Sequence, residues 1–240
     1  MGDNTGVQEY FRSQWGQDKY IYEHLISKKS GVFFEVGAHD GETLSNTFFF
    51  EKYLDWSGVL VEMQPRFFDA IKTNRRLAQV FNCGISNIDF QMLWLDAGDR
   101  SGLLRYFEHL GIEHLEEIYQ AANPKPKFSL DWVRVRPAME ILREANISHI
   151  DYFSLDVEGG EIEVLKSLDF DSVTIDLFTI EDNFGGWAVH SAWLQPRGYV
   201  LLGRLGTDGF FAHSRLLDRI KSERGSDALE TLRDLLIQIR

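Results

Sequence analysis

The chain has 240 residues, 44% of them hydrophobic and 13% aromatic, which is enough to bury a full core, so we expect a single domain over residues 1–240. Twenty-five basic and 37 acidic residues give a net charge of −12. This balance argues against a nucleic-acid partner, because binding would lack the counterion release that dominates such affinities. The sequence contains neither a run of eighteen apolar residues nor a signal segment, which predicts a soluble cytoplasmic protein without a membrane partner.

Hydrophobic periodicity predicts an alternation of helices and strands. An N-terminal helix is expected over about 16–29, and short apolar runs predict buried strands at 32–36, 58–62 and about 79–83, with helices near 44–54 and 66–77 between them. The stretch 97–131 interrupts this regularity with glycines and prolines, so it is the best candidate for an insertion that covers the substrate.

After this insertion the alternation resumes. The predicted elements are a helix at 137–145, a strand at 150–155, a helix at 161–168, a strand at 173–180, a helix near 186–196, strands near 199–204 and 209–213, and helices from 215 onward. Such alternation implies a doubly wound, mostly parallel α/β sheet with helices on both faces. Only four residues separate the last two strands, so they can form a hairpin that leaves one strand antiparallel.

A glycine turn follows the first strand and has the pattern of a nucleotide-binding site. The sequence reads Glu35-Val-Gly37-Ala-His-Asp-Gly41, and the two glycines let the backbone turn sharply before a helix whose N-terminal N–H groups face a ligand. Glu62 ends the next strand, where a carboxylate can hold both hydroxyls of a ribose. Any α/β protein can contain such a turn, and it is the combination with Glu62 that favours an adenosine-containing cofactor.

The spacing of the glycines favours S-adenosylmethionine over NAD. A dinucleotide fingerprint needs Gly-x-Gly-x-x-Gly, and this chain has no glycine at position 39 or 44. Glu35 precedes the first glycine, where it would repel a pyrophosphate but could hold the cationic aminocarboxypropyl chain and sulfonium. A nicotinamide dehydrogenase is therefore the least favoured reading.

Acidic residues gather at the predicted carboxyl ends of later strands. Asp156, Glu158 and Glu161 follow one strand, and Glu181, Asp182 and Asn183 follow the next. Carboxylates are costly to bury unpaired, so several in one pocket suggest a cationic ligand, a metal or a role in proton transfer. The alternative is capping of helix N-termini, which we favour for Glu161 but not for Asp156 or Glu158.

Several motifs together resemble the FkbM family of S-adenosylmethionine-dependent methyltransferases. They are Ser13-Gln-x-Gly-Gln17-Asp18, Glu35-Val-Gly-Ala-His-Asp-Gly41, Leu44-Ser-Asn-Thr47, Trp56-x-Gly-Val-Leu-Val-Glu62 and Asp151-Tyr-x-Ser-Leu-Asp156-Val-Glu-Gly-Gly-Glu161. The resemblance spans about residues 13 to 213, and it implies the class I methyltransferase Rossmann-like fold with a seven-stranded sheet. It also implies methyl transfer to a hydroxyl, often of a sugar, a polyketide or another secondary metabolite.

The resemblance also implies roles for individual residues. Gly37, Ala38 and Gly41 would line the methionine part of S-adenosylmethionine, Glu62 would hold the ribose, and Asn82 with the backbone beyond it would flank the adenine. The supporting pocket residues implied by the family are Gln17, Asp18, Ser45 and Asn46.

Transfer to a hydroxyl needs either a general base or a metal that lowers the pKa of the hydroxyl. A base could be Asp156 or Glu158, with His39 and His190 as weaker candidates. The residues Asp156, Asp182 and Asn183 are similar to the magnesium site of catechol-type O-methyltransferases, and such oxygen ligands suit Mg²⁺ or another divalent cation. Those enzymes also have a lysine three residues after the first aspartate, where this chain has Gly159, so both routes remain open.

The expected partner is a small-molecule or glycan acceptor, and a homo-oligomer remains an option. Aromatic residues in the later part of the chain could form a stacking wall for the acceptor, and Trp187 is expected at the pocket mouth. The other aromatic candidates are Tyr119, Trp132, Phe184 and Trp193. The alternative function is a catalytically inactive binding or scaffolding module of the same fold. The clustered carboxylates argue against it, because a scaffold does not need them.

Overall fold

The computed structural model describes residues 10–97, 101–107, 116–117, 119–120, 128–183 and 185–236. In chain order the strands are β1 (Val32–Val36), β2 (Ser57–Val61), β3 (Ala78–Phe81), β4 (Gly84–Ile85), β5 (Phe90–Asp96), β6 (Gly102–Leu103), β7 (Ser129–Arg136), β8 (His149–Leu155), β9 (Thr174–Glu181), β10 (Tyr199–Leu205) and β11 (Asp208–His213). The α-helices span Gln17–Tyr20, Phe48–Leu54, Pro65–Asn74, Leu104–Phe107, Ala138–Glu144, Glu161–Lys166, Trp187–Leu194, Ser214–Arg224 and Ala228–Asp234.

Seven of these strands form the main sheet, in the order β10-β11-β9-β8-β1-β2-β3. The pairs β1–β2, β1–β8, β2–β3 and β8–β9 are parallel, whereas β11 runs antiparallel to both of its neighbours. This arrangement confirms the predicted class I Rossmann-like fold, including the C-terminal hairpin with one reversed strand. The order places β1 and β8 side by side at the centre, so their carboxyl ends meet at one edge.

The main sheet separates two apolar cores, which explains the continuous apolar runs of the central strands. Phe33 packs in the core on one face and Phe34 in the core on the other, because successive side chains of a strand point to opposite faces. Tyr152 and Phe153 of β8 repeat this division next to them. Helices cover both faces, and within the described ranges none combines the length and apolar character needed to cross a membrane.

A second sheet, in the order β4-β7-β5-β6, follows the main sheet's edge strand and was not predicted from the sequence. Its inner face packs Trp94, Leu103, Tyr106 and Val135 together, with Met63 of the main body against them. The predicted insertion at 97–131 contains β6, the helix Leu104–Phe107 and the start of β7, while residues 98–100, 108–115, 118 and 121–127 lie outside the described residues.

The two helical segments nearest the N-terminus fall furthest short of their predicted lengths. The N-terminal helical segment consists of Gln17–Tyr20 and a π-helix at Ile21–Leu25, and it ends there because Ile26 adopts an extended backbone with φ −136°. The helix expected near 44–54 begins only at Phe48. Leu44 has φ +59° and forms an isolated bridge with Ser13, which is incompatible with a helical start at 44.

Candidate functional site

The carboxyl ends of β1, β2 and β8 form a pocket at one edge of the main sheet. It is lined by residues 35–39, 43–46, 61–64, 83–85, 101, 103, 106, 154 and 156–158. The glycine turn after β1, the acid after β2 and the acidic loop after β8 are therefore brought together. Leu103 of β6 and Tyr106 of the helix Leu104–Phe107 add a wall that the sequence did not predict.

Gly37 is required where the turns after β1 and β8 touch. Its φ is +86°, and a Cβ atom there would lie 2.0 Å from the backbone oxygen of Asp156. The Gly37 N–H donates to the Val61 oxygen at 3.0 Å, and the Asp156 N–H donates to the Val36 oxygen at 3.1 Å. Any side chain at 37 would separate these turns, so only glycine permits this floor of the pocket.

Gly41 has a similar left-handed φ of +81°, and a Cβ atom there would lie 3.0 Å from Cγ of Arg75. The glycine thus brings the turn close to the buried end of the helix Pro65–Asn74. Ala38 lies between the two glycines, is buried, and lines the pocket.

Glu62 is held at the pocket wall by two backbone N–H groups. Its Oε2 accepts from His39 at 2.8 Å and its Oε1 accepts from Gln64 at 2.7 Å. Burial raises the pKa of Glu62 to about 7, although these two hydrogen bonds oppose the rise. Each carboxylate oxygen keeps a further lone pair, so the side chain can accept both hydroxyl protons of a ribose. The His39 ring itself packs on Phe67, 3.9 Å between ring centroids.

Asn82 lies outside the pocket lining and its side chain is exposed. Its Nδ2 donates to the backbone oxygens of Glu62 at 2.8 Å and Met63 at 3.3 Å. The side chain therefore fixes the chain after β2. The backbone beyond it, at 83–85, does line the pocket, where the family resemblance places an adenine.

Glu35 lines the pocket but its carboxylate is surrounded by donors of the chain itself. It accepts from Ser45 Oγ at 2.9 Å, from the Asn46 N–H at 2.8 Å and from Thr47 Oγ1 at 2.5 Å. Arg75 Nη1 approaches Glu35 Oε2 to 3.4 Å. The charge of Glu35 is thus matched within the protein, and its contacts shape the turn from 45 to 47.

Arg75 was not singled out in the sequence, where it looks like an ordinary basic residue at a helix end. Its side chain is completely buried, and its Nε donates to Glu51 Oε2 at 2.8 Å. The same guanidinium donates to Thr47 Oγ1 at 2.9 Å and to the Gly41 oxygen at 3.1 Å. One cation therefore ties two buried carboxylates to the glycine turn.

Asn46 carries an unsatisfied acceptor in the pocket. Its Nδ2 donates to Ser154 Oγ at 2.8 Å, while its Oδ1 is buried and has no hydrogen-bond partner among the residues described. Buried polar atoms are nearly always paired, so this oxygen marks a place where a ligand N–H or O–H would fit. Together with the glycine cradle and Glu62, it suits a ligand that has an amino group and a ribose.

A cluster of carboxylates lies at the adjoining strand ends. Oxygen atoms of Asp156, Glu158 and Glu181 lie within 4.8 Å of one another. Burial raises the pKa of Asp156 well above its usual range, and the negative charges of Glu181 and Glu158 add to this rise. Asp156 therefore retains a proton at a higher pH than an ordinary aspartate and is a stronger base when ionised.

Asp208 extends this cluster and was missed in the sequence. It is the first residue of β11 and faces Glu181 across the strand pair. Burial raises its pKa to about 7, with the Glu181 charge adding to the rise and a hydrogen bond from Gln17 opposing it. Gln17 Nε2 donates to Asp208 Oδ2 at 2.9 Å. The predicted pocket residue Gln17 thus reaches the site through Asp208.

Of the expected metal set, Asp156 lies in the carboxylate cluster, where Glu158 and Glu181 join it and Asp182 does not. Asp182 lies beside the buried His190. Burial lowers the pKa of His190, and the negative charge of Asp182 opposes this shift. Asn183 Nδ2 approaches Glu158 Oε2 to 3.4 Å.

Two further acidic residues have structural partners. Asp18 is buried, and its Oδ2 accepts from the Arg12 N–H at 2.7 Å, which anchors the segment before the first helix. Glu161 accepts from the N–H groups of Val157 at 3.2 Å and Gly159 at 3.1 Å, so its carboxylate holds the loop before its helix, whereas the helix N-cap at Gly160 has no side-chain cap hydrogen bond. Burial raises the pKa of both carboxyl groups, that of Glu161 to about 7.

Of the aromatic candidates that the structure describes, none lines the pocket. Trp187 packs over Gly209, where a Cβ atom would lie 2.2 Å from its Cζ3, and it is not among the residues that line the pocket. Trp132 projects from β7 and is 61% exposed. Phe184 lies outside the described residues.

The sequence matches the model of the methyltransferase FkbM domain over residues 35–201. No curated protein matches the chain. Similar solved structures include a methyltransferase FkbM from Methylobacillus flagellatus KT, with 12% identity, a TM-score of 0.46, and coverage of 77% of this chain and 44% of that one. A precorrin-6y C5,15-methyltransferase from Geobacter metallireducens GS-15 shows 9% identity, a TM-score of 0.45, and coverage of 87% and 93%. The chain therefore spans less than half of the Methylobacillus protein.

Proposed function

Since the chain belongs to the FkbM family of S-adenosylmethionine-dependent methyltransferases, we propose that it transfers a methyl group to a hydroxyl of a sugar, a glycan or a secondary metabolite. The observation that carries the O-methyl assignment is the carboxylate cluster of Asp156, Glu158 and Glu181 beside the pocket. A hydroxyl needs help to lose its proton, and a carboxylate with a raised pKa at the reacting end can take it.

Residues of the pocket could hold each part of the cofactor. Gly37 and Ala38 would hold its methionine part, and Asn46 Oδ1, the buried acceptor without a partner among the described residues, would accept from its ammonium. Glu62 would accept from its ribose hydroxyls, and Met63 and Leu103 would form the apolar wall for its adenine.

The cofactor supplies an electrophilic methyl group on a positively charged sulfonium. The protein's contribution is to hold the acceptor oxygen in line with that methyl group and to accept the hydroxyl proton. The cofactor would supply the methyl group for the new C–O bond and leave as a neutral thioether, and a carboxylate oxygen of Asp156 would take the proton of the acceptor hydroxyl. The charges of Glu158 and Glu181 raise the pKa of Asp156 and so strengthen it as a base.

The test combines binding with transfer. Calorimetry measures the affinity for S-adenosylhomocysteine, and label transfer from methyl-labelled S-adenosylmethionine is followed with methyl glycosides and polyhydroxylated metabolites as acceptors. Asp156→Asn is expected to lower transfer by about 100-fold or more while cofactor affinity changes less than twofold. Asp218→Asn, an exposed acid paired with Lys221, is the matched control and should leave both unchanged.

Two outcomes would contradict the proposal. Unchanged methyl transfer by the Asp156→Asn variant would show that Asp156 does not accept the hydroxyl proton. Tight cofactor binding without transfer to any acceptor would favour the inactive binding module. Adding Mg²⁺ or EDTA tests the metal route separately, because proton transfer to Asp156 alone should be insensitive to both.

A further inference from the structure

Gln64 is a buried amide in the pocket wall whose side-chain oxygen has no partner. The residue is 7% exposed and lines the pocket, and its Oε1 makes no hydrogen bond among the residues described. Buried polar atoms in proteins are nearly always paired. An unpaired acceptor in a cavity wall therefore indicates a ligand group that donates to it.

The helix that follows Gln64 does not use this amide. Gln64 is the N-cap residue of the helix Pro65–Asn74, where a polar side chain commonly accepts from the first turn, yet no side-chain cap hydrogen bond forms. Only its backbone is engaged: the Gln64 N–H donates to Glu62 Oε1 at 2.7 Å, and the Phe67 N–H donates to the Gln64 carbonyl oxygen at 3.1 Å. The main chain is thus anchored, while Oε1 stays open to a ligand.

The pocket has an acceptor for each kind of donor that S-adenosylmethionine carries. These donors are an ammonium, two ribose hydroxyls and the 6-amino group of adenine. In the proposed arrangement Asn46 Oδ1 would accept from the ammonium and Glu62 from the hydroxyls, which leaves the 6-amino group for Gln64. The strand order agrees, because Asn46 is bound to Glu35 of β1, Glu62 ends β2, and Gln64 follows Met63, which packs against the second sheet.

The family resemblance places a different side chain beside the adenine. Asn82 lies outside the pocket lining, and its Nδ2 donates to the backbone oxygens of Glu62 and Met63. We infer that Gln64 is the residue that recognises the 6-amino group of the cofactor, and that Asn82 acts only by positioning the backbone after β2. The inference rests on the proposed function, since it concerns the cofactor of that reaction.

Calorimetry with two ligands tests this assignment. The probes are S-adenosylhomocysteine and its 6-desamino analogue, which has a hydrogen in place of the amino group. The native protein should bind S-adenosylhomocysteine about tenfold more tightly, because the analogue leaves Gln64 Oε1 unpaired. Gln64→Met should lower the affinity for S-adenosylhomocysteine about tenfold and keep that for the analogue within about twofold.

Two variants separate recognition of the amino group from indirect effects. Gln91→Met is the matched control, because Gln91 is exposed on β5 and lies outside the pocket lining, and it should change neither affinity. Asn82→Ala should change both affinities by the same factor, so the preference for the 6-amino group stays. The ligand-free Gln64→Met protein should melt within about 2 °C of the native protein, since the substitution removes an acceptor that has no partner in the described part of the chain.

Equal losses of affinity for the two ligands in Gln64→Met would overturn the inference. A preference for the amino group that is absent from the native protein, or that Asn82→Ala removes and Gln64→Met keeps, would also overturn it. Failure of the native protein to bind S-adenosylhomocysteine at all would instead count against the proposed function.

Discussion

Replacing Arg75 by methionine should destabilise the protein strongly, because it leaves two buried carboxylates without their cation. The side chains of Arg75, Glu35 and Glu51 are 0%, 4% and 7% exposed, so water screens them little. Removing one partner of a buried pair costs about 3–5 kcal/mol. Methionine fills much of the same volume, which keeps a cavity from adding to this loss.

The expected loss corresponds to a clear shift of the melting temperature. For a chain of 240 residues the entropy of unfolding is about 0.5 kcal/mol/K, so about 3–5 kcal/mol lowers the midpoint by roughly 6–10 °C. Thermal and urea denaturation followed by circular dichroism would measure it. Arg134→Met is the control, because the ion pair of Arg134 with Asp89 is exposed to solvent. Loss of this ion pair should leave the melting temperature unchanged.

A shift below about 2 °C in Arg75→Met would refute the reasoning that the buried cation holds the turn. Glu35→Gln extends the test to the pocket. If the carboxylate acts through Arg75 and the 45–47 turn, this variant should lose stability. Its affinity for S-adenosylhomocysteine, measured well below the melting temperature, should change by less than tenfold. A selective loss of affinity at full stability would instead restore Glu35 as a direct cofactor ligand.

Gly37→Ala is expected to abolish S-adenosylhomocysteine binding in calorimetry, because the new Cβ would lie 2.0 Å from the backbone oxygen of Asp156. The control is Gly185→Ala, which also has a left-handed φ but open space around the Cβ, and it should keep the native affinity. Equal effects of the two substitutions on affinity would contradict the steric argument. The unfolding free energy of the ligand-free protein should fall as pH rises from about 5 to 8, since Glu62, Glu161 and Asp208 have folded pKa values of about 7 and bind more protons when folded than when unfolded. Asp208→Asn should reduce the dependence of the unfolding free energy on pH, measured by urea denaturation at pH 5.5, 6.5 and 7.5. An unchanged dependence would show that Asp208 does not contribute to it.

The main sheet was predictable because its central strands are buried on both faces. Such strands read as unbroken apolar runs, and β1 was placed at its observed bounds, Val32–Val36, while β2 differed by one residue at each end. The glycine turn and the acid after β2 were predictable for the same reason, since their positions follow from the ends of these strands.

The second sheet was missed because its signal is weak and its pairing is distant in sequence. β5 pairs with β7 from Phe90↔Val135 to Asp96↔Ser129, and the stretch between them breaks the pattern. Phe90 is 64% exposed, so apolar residues do not mark one buried face. Arg75 was missed for a related reason: a basic residue at a helix end is usually exposed, and only the tertiary structure places it between two carboxylates.

The carboxylate cluster should couple cofactor binding to proton release. Burial raises the pKa of Glu62 and Asp208 to about 7, so both are partly protonated at neutral pH, and burial with neighbouring negative charge raises the pKa of Asp156 well above its usual range. If the reacting methyl group lies beside Asp156, the sulfonium brings a positive charge that lowers these pKa values and expels protons. S-adenosylhomocysteine has the same shape without that charge, so it is the matched ligand.

Calorimetry at pH 7 in phosphate and in Tris, whose ionisation enthalpies differ, measures the protons released by each ligand. S-adenosylmethionine should release more than S-adenosylhomocysteine, and Asp156→Asn should narrow the difference. Equal release by the two ligands would place the sulfonium away from the cluster and remove Asp156 from the reacting end. A larger release by the charged ligand would mean that cofactor binding itself ionises the carboxylate that must then accept the hydroxyl proton.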